Sequence, residues 1–247
     1  MKKINFTIIF ILVLLISCKE NDLPTDKNQN SASILENFNS IKNTDKIILE
    51  TNQGDWDENI RENGNVIKVG NRLIQVYSGY NGVYSENNVY VGLGYSDDNG
   101  LTWKKGNNNG NIIPSASLED PYIIYDEISK TYFLYAEYKK EVPFRAIRVY
   151  SSSDLISWSD NGYAFEPVGD GWEKQDVSSP VVFVKDNKCY LIYEGRGKFD
   201  GNKNQSGAIG FAVSTNFTRF TRLSEAPIFT GTNLNSNAEW CQIVVPD

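Results

Sequence analysis

The chain repeats itself. Gly64–Gly79 (GNVIKVGNRLIQVYSG) aligns without gaps on Pro180–Gly195 (PVVFVKDNKCYLIYEG), an offset of 116 residues that pairs Val66 with Val182, Asn71 with Asn187, Tyr77 with Tyr193 and Gly79 with Gly195. Extended backwards, it also pairs Trp56 with Trp172 and Asp57 with Glu173. A third copy, Asp120–Tyr138, lies between them, so the unit is about 58 residues long. Each unit runs through an apolar stretch, a turn (Gly70-Asn71, Asp126 to Lys130, Asp186-Asn187) and a Tyr-rich stretch. A third stretch follows (VYVGLGYS, AIRVYSS, GAIGFAVS), then a segment carrying Trp103, Trp158 or Phe220. Short apolar runs divided by turn residues argue for strands, and four strands in a unit of this length make a propeller blade. The fold class expected is all-β, with four-stranded antiparallel blades spanning 54–110, 118–166 and 176–230. Asn237–Asp247 reads as the entry to a further blade, with Pro246 in register with Pro180. Residues 45–247 hold about three and a half blades, fewer than closure requires, so the propeller reads as cut short at its C-terminus.

What the domain can do is bounded by an absence: the sequence contains no histidine. That removes Ser-His-Asp and Cys-His nucleophilic catalysis, His-ligated zinc and imidazole proton shuttling. Acid–base work would fall to Asp, Glu, Tyr or Lys. A net charge of −7 lacks the electrostatic footprint of a nucleic-acid binder, and no nucleic-acid partner is expected. Aromatic residues at 13% supply enough bulk for a real core. No motif calls for a cofactor; the sequence leaves open a structural cation in the axial channel and shows no metal-ligand spacing.

The first segment is an address. Lys2 and Lys3 precede an uncharged apolar run, Ile8 to Ile16, too short to span a membrane comfortably, as in a secretory signal. Leu15-Ile16-Ser17-Cys18 resembles the lipobox of bacterial lipoproteins, which implies cleavage before Cys18 and lipidation of that cysteine. Lys19, in place of the aspartate associated with inner-membrane retention, points to an outer-membrane lipoprotein of the cell envelope. The expected layout is a signal peptide over 1–17, a polar tether over 18–44 and the propeller over 45–247. Of the other cysteines, Cys189 and Cys241 could be bridged in an exported chain or remain two buried thiols.

The strings GDWDEN…VIKVGN, EDPYII…YFLYAEY, SSSDLISW and GWEKQDVSSPVVFVKDNKCYLIYEG resemble the five-bladed propellers of the arabinanase–levansucrase superfamily, which includes glycoside hydrolase families 43, 32 and 130. The likeness covers roughly residues 54–247 and implies an oligo- or polysaccharide substrate cleaved by carboxylates at the inner strands. Glycosidic cleavage needs a protonated carboxyl on the leaving oxygen and a second carboxylate as base or nucleophile. Position by position, Asp120 in Glu119-Asp120-Pro121 matches the blade-two Asp-Pro motif, whose aspartate supports the acid and contacts the sugar. Blade one has Asn63-Gly64 where Asp-Pro is common, with Glu62 just before and Asp57 upstream. Blade three has Ser178-Ser179-Pro180 where family 43 carries Glu-Gly-Pro, leaving Glu173 and Asp176 as the nearest acids.

The catalytic candidates are therefore Asp120, Asp57, Glu62, Glu173 and Asp176. Trp56, Trp172, Tyr80, Trp240 and Glu239 are candidates for sugar contact, since sugar faces stack on aromatic rings. An acid recurring at 57, 173 and 239 either lines the central cavity or closes a turn in every blade. Trp103 and Trp158 belong to outer strands and read as blade packing. Two rivals stand beside the glycosidase or glycoside phosphorylase. One is a non-catalytic glycan-binding lipoprotein, favoured by the departures in blades one and three. The other is a sialidase, suggested by Ser96-Asp97-Asp98-Asn99-Gly100-Leu101-Thr102-Trp103, an Asp-box found in many propellers, with Arg145 as the only hint of the arginines such an enzyme needs.

Overall fold

The computed structural model describes residues 51–106, 110–113, 115–141, 144–168, 171–197 and 208–230. Cys18, Glu239, Trp240, Cys241 and the segments expected to be signal and tether lie outside them. Among the described residues there is no α-helix. The first blade comprises β1 (Asn59–Val69), β2 (Arg72–Tyr80), β3 (Val89–Ser96) and β4 (Lys104–Lys105), hydrogen-bonded in that order and antiparallel. The second comprises β5 (Leu118–Asp126), β6 (Thr131–Glu141), β7 (Phe144–Ser152) and β8 (Ser159–Phe165). The third is β9 (Asp176–Lys185), β10 (Lys188–Arg196), β11 (Ala208–Ser214) and β12 (Thr221–Arg222), with β13 (Phe229–Thr230) also pairing β11. One parallel bridge, Arg145 to Asp176, joins the second and third sheets. The three blades fall where the repeat put them.

Sequence dictates the turns. Asp186 and Asn187 both take positive φ (50° and 58°), the two-residue hairpin geometry whose twist matches antiparallel strands. Between the third and fourth strands of every blade sits one Ser-x-Asp/Asn turn: Ser96 with Asp98, Ser152 with Asp154, Ser214 with Asn216. The acid or amide caps the backbone ahead of it, as in Thr102 N to Asp98 (2.8 Å), Ser157 N to Asp154 (2.8 Å) and Arg219 N to Asn216 (3.0 Å). Three residues past each serine the chain turns left-handed, at Asn99, Leu155 and Phe217. That conformation is costly for Leu and Phe, and both are partly buried against the neighbouring core, which offsets it. The Asp-box is thus a turn device used three times.

Two cores hold the blades together. Ile74, Val76, Val91 and Leu93 of blade one pack on Ile123, Leu134 and Ala136 of blade two. The other face of blade two places Tyr135, Ile147 and Val149 against Val177, Val182, Leu191 and Tyr193 of blade three. Each fully buried aliphatic side chain stabilises the fold by roughly 1.5–3 kcal/mol over leaving it in water. Trp158 packs against the first core and Phe220 is buried in the second, consistent with packing roles. Cys189 is a buried free thiol 3.6 Å from Tyr135 Oη, and burial pushes its pKa up to about 12.

Candidate active site

The inner strands β1, β5 and β9 are irregular at corresponding places. Register shifts fall at Asn63/Val66, Glu119/Tyr122 and, opposite Ser178 and Val181, at Ile192/Glu194. A bulge re-aims side chains out of the ladder. Asp120 and Ser179 sit in two of these bulges with φ of 47° and 49°, each followed by a proline that has no N–H to lose. In blade one Asn63 takes the corresponding place and Gly64 that of the proline, and a Cβ at Gly64 would stand 2.4 Å from the Pro121 carbonyl oxygen. β1 therefore lies against β5 closely enough for side chain and backbone to pair directly. The Asn65 amide exchanges two hydrogen bonds of 2.8 Å with the Ile123 backbone.

This close approach assembles a carboxylate cluster. Glu62 Oε2 accepts from Ser78 Oγ (2.8 Å) and from the Asp120 backbone N–H (2.9 Å). Asp120 Oδ2 accepts from Ser179 Oγ (2.8 Å). So one group from each inner strand meets at Asp120. Burial, then the negative charge of Glu62, pushes the Asp120 carboxyl up to about 7, against the Ser179 hydrogen bond. Glu119, the preceding residue, accepts from Tyr84 Oη (2.8 Å) and lies 3.8 Å from Arg61. Glu137 stands opposite Glu119 across the β5–β6 pair and forms a 2.5 Å ion pair with Arg145. Burial raises the Glu137 carboxyl to about 8, opposed by Arg145 and reinforced by Asp120, Glu119 and Glu62. Asp176 accepts from the Arg145 backbone N–H (3.0 Å), and burial raises its pKa too.

Of the candidates drawn from sequence, Asp120 and Glu62 are in direct contact. Asp176 reaches the same cluster through Arg145. Asp57 and Glu173 do not join it. Asp57 is fully buried between Tyr77 Oη (2.8 Å) and Lys105 Nζ (2.8 Å), and Glu173 is held by Tyr193 Oη (2.5 Å) and Arg222. In both blades the acid is clasped inside its own sheet by a second-strand tyrosine and a fourth-strand cation. The recurring acid in these two blades is therefore held within its own sheet, apart from Asp120. Trp56 stacks on Tyr77 (5.6 Å between ring centroids) and Trp172 on Tyr193 (5.8 Å), so each half-buried indole packs one face on the tyrosine of its clasp. A Cβ at Gly195 would come within 2.8 Å of Glu173 Cβ, which explains the glycine of the repeat. Tyr80 does approach the cluster, edge-on to Tyr84 at 5.4 Å.

Sequence reasoning passed over Glu137, Tyr84, Glu86 and Arg61. The bulge registers pair Glu62 with Ser78, Glu119 with Glu137 and Ser178 with Glu194. Blade two is thus the only one of the three with an acid on both strands at that level, a signal available only once strand pairing is known.

Comparison with known proteins gives this arrangement its relatives. Residues 42–178, more than half of the chain, match the family described as the glycosyl hydrolases family 32 N-terminal domain. A levanase of Bacillus sp. (strain L7) is 27% identical over 137 residues, covering 50% of this chain and 14% of that protein. Among solved structures, a family 117 glycoside hydrolase of the marine bacterium Zobellia galactanivorans is similar with a TM-score of 0.58 and 17% identity, over 75% of this chain and 61% of that one. A family 32 beta-fructofuranosidase of Bombyx mori gives 0.50 and 19%, over 66% and 36%. A thermostable family 43 glycoside hydrolase gives 0.51 and 21%, over 66% and 54%. These likenesses establish the propeller-glycosidase fold, and the chain spans less than two thirds of the length of each relative.

Proposed function

The chain belongs to the family of glycosyl hydrolase family 32 N-terminal domains, and from that premise we propose that it hydrolyses a glycosidic bond in an oligo- or polysaccharide, with Asp120 as proton donor and Glu62 as the paired carboxylate. The observation that carries this reading is the meeting of Glu62 and Asp120 across β1 and β5, with Asp120 pushed up to about 7. Two carboxyls in different environments is what the chemistry requires: one keeps a proton at neutral pH, the other takes the base or nucleophile role. Blade three offers Ser178 and Ser179 where the resemblance expects the acid, and Ser179 instead steadies Asp120. The donor role then passes to blade two. The test is a panel of neutral polysaccharides (levan, inulin, arabinan) and uronate- or sulfate-bearing ones, with released sugar followed by chromatography. Release from at least one is expected.

A second reading, a glycan-binding module without turnover, is favoured by Ser178, whose buried Oγ has no hydrogen-bond partner among the described residues, at the place where the resemblance expects a catalytic carboxylate. Binding to a polysaccharide that is never cleaved would select it.

We also propose export and lipidation at Cys18, with outer-membrane anchoring of the propeller. The support is the signal layout of residues 1–18. Cys18→Ser is expected to move the protein from the membrane fraction into the soluble one, because the several acyl chains of a mature lipoprotein anchor firmly. Unchanged membrane partitioning of that variant would remove the anchor.

A further inference from the structure

The β2–β3 loop, residues 81–88, leaves blade one and reaches the rim of blade two. Tyr84 Oη meets Glu119, and the Glu86 carboxylate pairs with both Arg145 Nη2 (2.9 Å) and Lys139 Nζ. Glu86, Glu119, Lys139 and Arg145, with Ser117 and Glu137, line one pocket. Exposure rises outward along it: 5% for the Glu137 side chain, 24% and 22% for Arg145 and Lys139, 31% for Glu86. Glu137 thus meets Arg145 from the protein side, while Glu86 meets both cations from the solvent side. The loop is held by its own hydrogen bonds, from Asn88 Nδ2 to the Asn81 and Val83 carbonyls and from Ser85 N to Asn88 Oδ1. Glu86 is accordingly presented to the two cations by a shaped turn.

We propose that Arg145 and Lys139 form a subsite for an anionic substituent, the carboxylate of a uronate or the sulfate of a sulfated sugar, and that Glu86 occupies it in the free protein. Lys139 and Arg145 face each other across the β6–β7 pair, where like charges repel, and a chain-borne carboxylate that contacts both offsets the repulsion. A substrate anion entering from solvent would exchange with Glu86 one for one, with no net change in the charge the pocket holds. A neutral sugar has nothing to offer the cations and would leave Glu86 in place, so the exchange discriminates by charge. The inference rests on reading the adjoining carboxylates as the glycoside-cleaving site, since that is what places the subsite beside the bond to be broken.

Binding is measured by calorimetry with galacturonate, galactose 6-sulfate and galactose as probes. Glu86→Gln is expected to bind the charged probes roughly tenfold more tightly than the unaltered protein, with galactose unchanged. Adding Lys139→Gln should erase that gain. A gain confined to galacturonate assigns a carboxylate, one confined to galactose 6-sulfate a sulfate. A folded Glu86→Gln variant with no gain for either reduces the Glu86 contacts to an ion pair between blades and overturns the proposal. Should Glu86→Gln fail to fold, Lys139→Gln alone must abolish a preference of the unaltered protein for charged probes; with no such preference the proposal also falls. Because the readout is binding, a protein that cleaves nothing can still pass, and one that cleaves only neutral glycans fails here alone.

Discussion

Asp120→Asn is expected to lower turnover by about a hundredfold to ten-thousandfold, the range a positioned proton donor contributes, while glycan binding stays nearly intact. Asparagine keeps the shape that accepts from Ser179 Oγ, and the Glu62 contact is to the Asp120 backbone, so the cluster need not rearrange. What is lost is the proton. In the unaltered protein, turnover that depends on protonated Asp120 should be sustained at acid pH and fall as pH rises through about 7. Stability should fall over the same rise in pH. The folded Asp120 carboxyl binds its proton more tightly than an unfolded one, whose pKa is near 3.8, so its ionisation opposes folding progressively as pH rises from there through about 7. Removing the ionisable group should therefore raise the melting temperature at pH 8 even as it lowers turnover. A residue kept for the fold would show the reverse, lower melting with unchanged turnover per folded molecule, and that result would take Asp120 out of the mechanism.

How much of this was legible from sequence differs between fold and site for a physical reason. Blade architecture depends on local rules: period-two apolar runs, Asp186-Asn187 in a hairpin, and the Ser-x-Asp/Asn turn with a left-handed residue after it. Each acts within a few residues, so each can be read along the chain. Asp120 is legible through the Asp-Pro motif of the resemblance, and Glu62 as the acid just before Asn63-Gly64, where that motif is common in blade one. The repeat singles out Asp57 and Glu173, whose contacts lie within their own blades and not at Asp120. Recurrence marks what every blade needs, and these two acids answer a blade's own requirement, a buried partner for Tyr77 or Tyr193. Function breaks the repeat instead. Glu137 faces a second acid, Glu119, where its blade-three counterpart Glu194 faces Ser178, and the approach of Tyr84 and Glu86 depends on a loop reaching between blades; sequence periodicity encodes neither.

Lys105→Met should cost about 3–5 kcal/mol of stability, the usual consequence of leaving one partner of a buried ion pair without the other. Asp57 has no solvent exposure in its side chain, and Lys105, on the fourth strand of the same blade, is the one cation paired with it among the described residues, at 2.8 Å. Deprived of it, the carboxylate would retain the Tyr77 hydroxyl but no compensating charge. Burial and the neighbouring Asp57 already hold the Tyr77 phenol protonated well above its ordinary range, so it can donate a hydrogen bond and no more. Asp57→Asn in the Lys105→Met background should recover part of the loss, because the uncompensated charge is then gone; the non-additivity measures the pair. Arg222→Met should act alike in blade three, where Arg222 holds Glu173 and also lies 4.1 Å from the Phe165 ring. Denaturant midpoints give the stability, and turnover per folded molecule decides the role. If Asp57 and Glu173 serve the clasps, both cation variants unfold earlier yet keep their turnover while folded. If turnover falls in molecules that remain fully folded, the recurring acid acts in the chemistry, and the division between clasp and cluster drawn from these contacts is wrong.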